Sequence, residues 1–202
     1  MPTGVPIPDI HVQLLHAADR VLLRDGPDRL TSRAVTTEAN VAKGILHRHF
    51  PDFDAFLVAV VLAHLERLDA QAAKLRASAG TGALEENLAA ALAEALNPAA
   101  TLIINLVCCR RSLLKRLRLM TPSGIPLLSE ITKMIASYLT AERGLGRIAL
   151  AADVDTTATM LVGGAYLLSA VDDGVPGEHF HDLVKSAVRS AAPPTRSRSA
   201  QT

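Results

Sequence analysis

The side chains able to do chemistry in this sequence gather in a few short runs. His47, Arg48 and His49 follow closely on Lys43. Positions i and i+2 of a helix point about 200° apart, so the two imidazoles cannot share a metal ion. Lys43 and Arg48 are able to donate to guanine edges or phosphate, an exposed Ile45 to meet a thymine methyl, and His47 and His49 to donate on the phosphate side. A second run, Arg110, Arg111, Lys115, Arg116 and Arg118, lies where no acid occurs between Glu94 and Glu130. Arg111, Lys115 and Arg118 share one helical face, while Leu113, Leu114 and Leu117 take another. This reads as a solvated basic face; the sharper reading turns one arginine inward onto a carboxylated ligand such as an acyl thioester or an organic acid. Cys108 and Cys109 are adjacent, which disfavours a bridge between them and gives no zinc spacing. Beside Arg110 and Arg111 they are either acidified thiols of a redox switch or two buried, inert ones. No G-x-S-x-G, H-E-x-x-H, P-loop or G-x-G-x-x-G occurs, and the carboxylates fall mostly on expected outer faces. No enzyme, cofactor or metal site is expected.

The elements that must position these groups are helical. Across 202 residues, hydrophobic side chains make up 49% and charged ones 20%, which excludes a disordered chain. Aromatics are only 3%. The bulk is Ala and Leu, which favour helix over strand, so the expected class is all-α. Net charge is +1, pI about 7.9 and mean hydropathy +0.24; any nucleic-acid surface must therefore be a local patch. The longest uncharged runs, Ala95 to Cys109 and Thr156 to Val171, fall short of the roughly 20 residues a membrane span needs. With no secretory pattern at the start and so few cysteines, the expectation is a reduced, cytoplasmic protein with no membrane partner.

Asp9 precedes a helical pattern carried by Val12, Leu15, Ala18 and Leu22, which Gly26-Pro27 stops. Thr31 is a plausible N-cap for a two-turn helix with Val35 and Ala39 on one face. Asn40 marks a sharp turn, since Asn tolerates the left-handed conformation. A further short helix from Lys43 to Phe50 ends at Pro51, and Ala39, Val41, Leu46 and Phe50 form the inward set. This is the sequence form of a helix-turn-helix. The run Leu30 to Phe50, with Asp25-Gly26 before it and Asp54-Ala55-Phe56-Leu57 after it, resembles the DNA-binding domain of the tetracycline-repressor (TetR) family over roughly Leu14 to Val61.

That resemblance implies an N-terminal three-helix DNA-binding domain (1–51), a larger helical ligand-binding and dimerisation domain (52–192) and about ten helices in all, followed by a disordered tail (193–202). It also implies a homodimer on a palindromic double-stranded operator, released by a small apolar or acidic effector. The DNA-contacting positions it implies are Thr31, Arg33, Lys43, Gly44, Ile45, His47, Arg48 and His49. The departures from the family pattern are Asn40 for a Gly, Ala42 for a capping Ser or Thr, His47 for a Tyr and Phe53 for a Lys. Residues 1 to 50 hold six Lys or Arg against five acids, so DNA binding should be modest and salt-sensitive. These departures keep open a second reading, a helical small-molecule-binding or interaction protein that has lost DNA binding.

Beyond residue 51, Phe56, Leu57, Val60, Val61, His64, Leu65 and Leu68 mark a long helix linking the two domains. Gly80-Thr81-Gly82, Asn97-Pro98 and Thr121 to Gly124 punctuate the helices that follow. Ile125 to Glu142 and Asp155 to Val171 come next, separated by a Gly144 to Ala152 loop, and Pro176 starts the last helix. Candidate ligand contacts are His64, Asn105, Cys109, Arg111, Met134, Tyr138 and Tyr166, each with an equally simple reading as a core or interface residue. Met120, Met134 and Met160 suit core filling. Thr156 to Val171 is too apolar for the surface of a monomer, and Gly163-Gly164-Ala165 permits close approach; paired with Ile125 to Tyr138 it is expected to build an isologous four-helix interface.

Overall fold

The computed structural model describes residues 9–120, 124–171 and 178–193. Among these residues the chain forms ten α-helices and one short 3-10 turn, and no strand. In order they are α1 (Ile10–Asp25), α2 (Ser32–Glu38), α3 (Gly44–His49), α4 (Phe53–Ala77), α5 (Leu84–Ala95), α6 (Pro98–Cys109), α7 (Arg111–Met120), α8 (Pro126–Gly144), α9 (Val154–Val171) and α10 (Glu178–Ala191). The all-α expectation holds. The expected starts and stops lie within a residue or two of the observed ones, and the expected start at Pro176 and most of the expected tail lie outside the described residues.

The described residues fall into two compact units. The first takes the chain up to Arg67 together with Pro98–Leu127; the second takes Leu68–Asn97 together with the described residues from Leu128 onward. In the first unit α1 buries Leu14, Ala17, Ala18, Val21 and Leu22. Val12, expected on that stripe, is exposed, because its place in the first turn lies outside the arc that faces α2. The first half of α4 contributes Phe56, Leu57, Val60 and Val61, all sealed. α6 is apolar nearly all round and buries Ile103, Ile104, Leu106 and Val107, as a helix covered on several sides should.

In the second unit α8 and α9 bury Ile131, Ile135, Tyr138, Leu161, Val162 and Ala165. α10 packs against α9, where a Cβ added at Gly164 would stand 2.8 Å from Leu183 Cδ2. A side chain there would have to displace the end of Leu183, while the backbone itself would accept one. Two methionines depart from the core-filling expectation: Met134 is buried, whereas Met120 and Met160 are exposed. Helical position decides this, since both stand on the outward arcs of α7 and α9. No single helix among the described residues is long and apolar enough to cross a membrane.

Candidate nucleic-acid interface

The helix-turn-helix is built by local rules. The Asp9 carboxylate accepts from His11 N at 2.9 Å and starts α1. Thr31 Oγ1 accepts from Ala34 N at 3.1 Å and starts α2. Asn40 sits at φ 52, the only non-glycine residue at positive φ among the described residues, and turns the chain between α2 and α3. α3 starts after Lys43 with no side-chain cap, as the alanine at 42 implied. One contact that the sequence did not announce holds the turn: Gln13 Nε2 of α1 donates to Ala39 O at 2.7 Å. It satisfies a carbonyl that the end of α2 would otherwise leave open.

Leu46 and Phe50 are buried beneath α3, while Lys43, Gly44, His47, Arg48 and His49 are exposed and Ile45 is half-buried. Thr31 and Arg33 are exposed at the start of α2. The eight expected DNA contacts thus share one unit, seven of them on its open surface. His49 is braced by the His11 ring, edge-on at 5.0 Å, and His11 also meets Phe50 at 4.8 Å.

Ion pairs decide which cations are available. Glu38 of α2 accepts from Arg20 Nε at 2.7 Å and from Arg24 Nη1 at 2.6 Å. Arg24 also holds Asp25 through two bonds, 3.0 and 2.8 Å. Hydrogen bonds from Arg20 and Arg24 hold the Glu38 carboxyl below its ordinary value, so at neutral pH it stays charged and masks them. Arg33, Lys43 and Arg48 form no ion pair with a described acid. The surface potential next to α3 therefore rests on these three cations.

Residues 14–60 match the model for bacterial regulatory proteins of the tetR family. Over these residues the chain is similar to the tetR family. Solved structures extend the likeness of fold to the whole chain. A transcriptional regulator from Rhodococcus sp. Rha1 superposes with TM-score 0.68 at 17% identity, covering 91% of this chain and 96% of that one. The multidrug binding protein EbrR, complexed with imidazole, gives TM-score 0.62 at 23% identity over 95% and 99%. E. coli NemR in its reduced form gives 0.62 at 15% over 91% and 95%. No curated protein matches the chain in sequence. The chain thus has the fold of tetR-family transcriptional regulators, in which an N-terminal DNA-binding domain precedes a helical ligand-binding one.

The expected ligand contacts of this chain are divided between the units. His64, Asn105, Cys109 and Arg111 lie in the first, and Met134, Tyr138 and Tyr166 in the second. His64 is buried and its Nε2 stands 2.9 Å from Asp19 Oδ1, with Arg67 completing the cluster at 3.3 Å. It clasps α4 to α1. Asn105 and Tyr166 are half-buried, and Met134 and Tyr138 are buried. Asn87 Nδ2 donates to the Tyr138 hydroxyl at 3.0 Å. Beside that hydroxyl lies Glu142, a fully buried carboxylate and an exception to the expectation of acids on outer faces. Glu142 Oε1 accepts from Gly80 N at 3.2 Å, and Arg147 Nη1 stands 3.4 Å from the carboxylate.

Two readings of the basic run are corrected. No arginine turns inward: Arg116 grips Asp52 through two bonds of 2.8 Å, and Arg110 donates to Asp54 Oδ1 at 2.8 Å with its guanidinium 5.6 Å from the Phe53 ring centre. Arg111, Lys115 and Arg118 border an open surface cleft with Leu114 and Leu119. The acids that attract Arg110 and Arg116 lie 56 and 64 residues away, beyond any local rule. Both cysteines are exposed, contrary to the buried reading. Partial burial, with Cys109 alongside, pushes the Cys108 thiol up, opposite to the acidification that its arginine neighbours suggested.

Proposed function

We propose that this chain is a ligand-responsive transcriptional regulator, a repressor that binds a palindromic operator as a homodimer and leaves it when a small molecule binds the second domain. Residues 1–51 act as the DNA-binding domain and 52–192 as the ligand-binding and dimerisation domain. The single observation that carries the reading is the surface around α3. Every polar position expected to meet DNA is exposed there, and Arg33, Lys43 and Arg48 face no described acid while Arg20 and Arg24 are neutralised within the unit. A helix-turn-helix kept only as a scaffold has no reason to keep three unpaired cations at these positions.

Dimerisation is supported by α9, which leaves Met160 and Leu167 about two-thirds exposed with Gly163 between them on the same stripe. An apolar stripe of this kind is what a partner helix covers. A twofold dimer would set two α3 helices about 34 to 36 Å apart, one turn of duplex. An effector acts by preferring one separation of the two DNA-binding domains, typically with about 1 to 3 kcal/mol of coupling. With the basic run turned to the surface, it gives no reason to favour an acidic effector.

The test is footprinting on the DNA flanking the chain's own gene, in dilute and in concentrated salt. Protection of a palindrome, lost as salt rises, is the expected result. A chain that stays monomeric and ignores every duplex in dilute buffer refutes the reading in favour of a helical binding protein without DNA.

A further inference from the structure

In the second unit, α4 and α5 enclose a cleft of about 120 Å³ lined by Gln71, Lys74, Leu75, Ser78, Asn87 and Glu94, with alanines of α5 completing an apolar wall. An apolar cavity of about 150 Å³ is enough to hold benzene. This cleft, open on one side, has room for one ring or a short chain.

Its polar lining leaves oxygens open. Behind Asn87, burial and then the neighbouring Glu142 push the Tyr138 hydroxyl up to about 12, so it keeps its proton, and its oxygen accepts from Asn87. One Asn87 amide hydrogen goes to that oxygen and the other to Thr81 O at 2.9 Å. The remaining capacity of Asn87 is its carbonyl. Ser78 gives its hydroxyl hydrogen to Leu75 O at 2.7 Å. Lys74 Nζ sits 3.2 Å from Glu94 Oε2, an exposed pair that opens at little cost. Gln71 Oε1 is buried and accepts from nothing, which is unfavourable until a donor arrives. The lining is rich in acceptors, and the chain's own ammonium already marks where a cation rests against Glu94.

We propose that this cleft binds a small organic cation, a protonated amine or amidine on one ring or short apolar chain, which donates to Gln71 Oε1 and replaces the Lys74 ammonium at Glu94. The proposal rests on the regulator reading for its consequence, release from DNA, whereas the binding is measured without DNA.

The test is calorimetric titration of the full chain with benzylamine and its near isosteres benzoate and benzyl alcohol. Benzylamine is expected to bind saturably and about tenfold or more tighter than either, since it alone offers a charge-assisted donor. Gln71→Leu and Glu94→Gln should each weaken it by about fivefold or more. Gln71→Glu, which offers only oxygen, should keep or strengthen it. Benzoate binding as tightly as benzylamine overturns the proposal, as does no saturable amine binding, an effect of neither Gln71→Leu nor Glu94→Gln, or loss in Gln71→Glu. Melting curves by circular dichroism confirm that each variant folds, and the isostere comparison needs no variant. If amines bind but no duplex does, the regulator reading falls and the cleft stands; if a duplex binds and amines do not, the cleft falls and the regulator stands.

Discussion

Replacing Glu38 by glutamine should strengthen DNA binding and steepen its salt dependence, because it frees Arg20 to meet a phosphate. Glu38 is the acid that masks Arg20, at 2.7 Å, and one of two that mask Arg24. Among the expected contact positions three unmasked cations per protomer, Arg33, Lys43 and Arg48, give six in a dimer. At about 0.9 counterion released per phosphate contact, log K should fall with log salt at a slope of about −5. Glu38→Gln frees Arg20 while Arg24 stays with Asp25, which adds two cations per dimer and moves the slope to about −7. Lys43→Ala removes two and moves it to roughly −3.5. Over a fourfold rise in salt from about 50 mM, affinity should drop by about 10³ for the native chain, 10⁴ for Glu38→Gln and 10² for Lys43→Ala. Fluorescence anisotropy on a short labelled duplex across that range measures all three. Slopes that move in the same direction, or do not move, refute the claim that masking by Glu38 sets the strength of this surface.

Asn40→Val forces a β-branched side chain into the left-handed turn at φ 52 and should cost about 1 to 2 kcal/mol in chemical denaturation, whereas Asn40→Gly should be tolerated. Asp19 is pushed up by burial, yet the bonds and charges of His64 and Arg67 outweigh this and hold it below its ordinary 3.8. A lowered folded value means that its contribution is present in full above the unfolded value near 3.8 and disappears as pH falls through the folded one. Acid unfolding of Asp19→Asn should therefore depend less on pH below about 4 than that of the native chain. Met160→Asp with Leu167→Glu places charge on the exposed stripe of α9 and should yield a folded monomer by light scattering; an unchanged dimer moves the interface elsewhere.

The elements were legible wherever a local rule governs them. Asp9 and Thr31 cap because the accepting oxygen lies two or three residues from its donor. Asn40 turns the chain because its own backbone preference allows it. The exposed polar residues of α3 follow from helical periodicity. Together these determine an all-α chain with an N-terminal helix-turn-helix, and a family likeness that needs no coordinates.

Only the tertiary structure decided which charges remain free and which polar groups lie together. Glu38 reaches back 18 residues to Arg20, Asp52 forward 64 to Arg116, and Asn87 across 51 to Tyr138. Helical spacing carries no information at such separations, so a run of basic residues read alike in sequence divides into two that hold the start of α4 and three that border open solvent. The acceptor-rich cleft has the same origin. Its acceptors, Gln71 on α4 and Glu94 on α5, meet only because the two helices pack side by side, a pairing that helical periodicity does not contain.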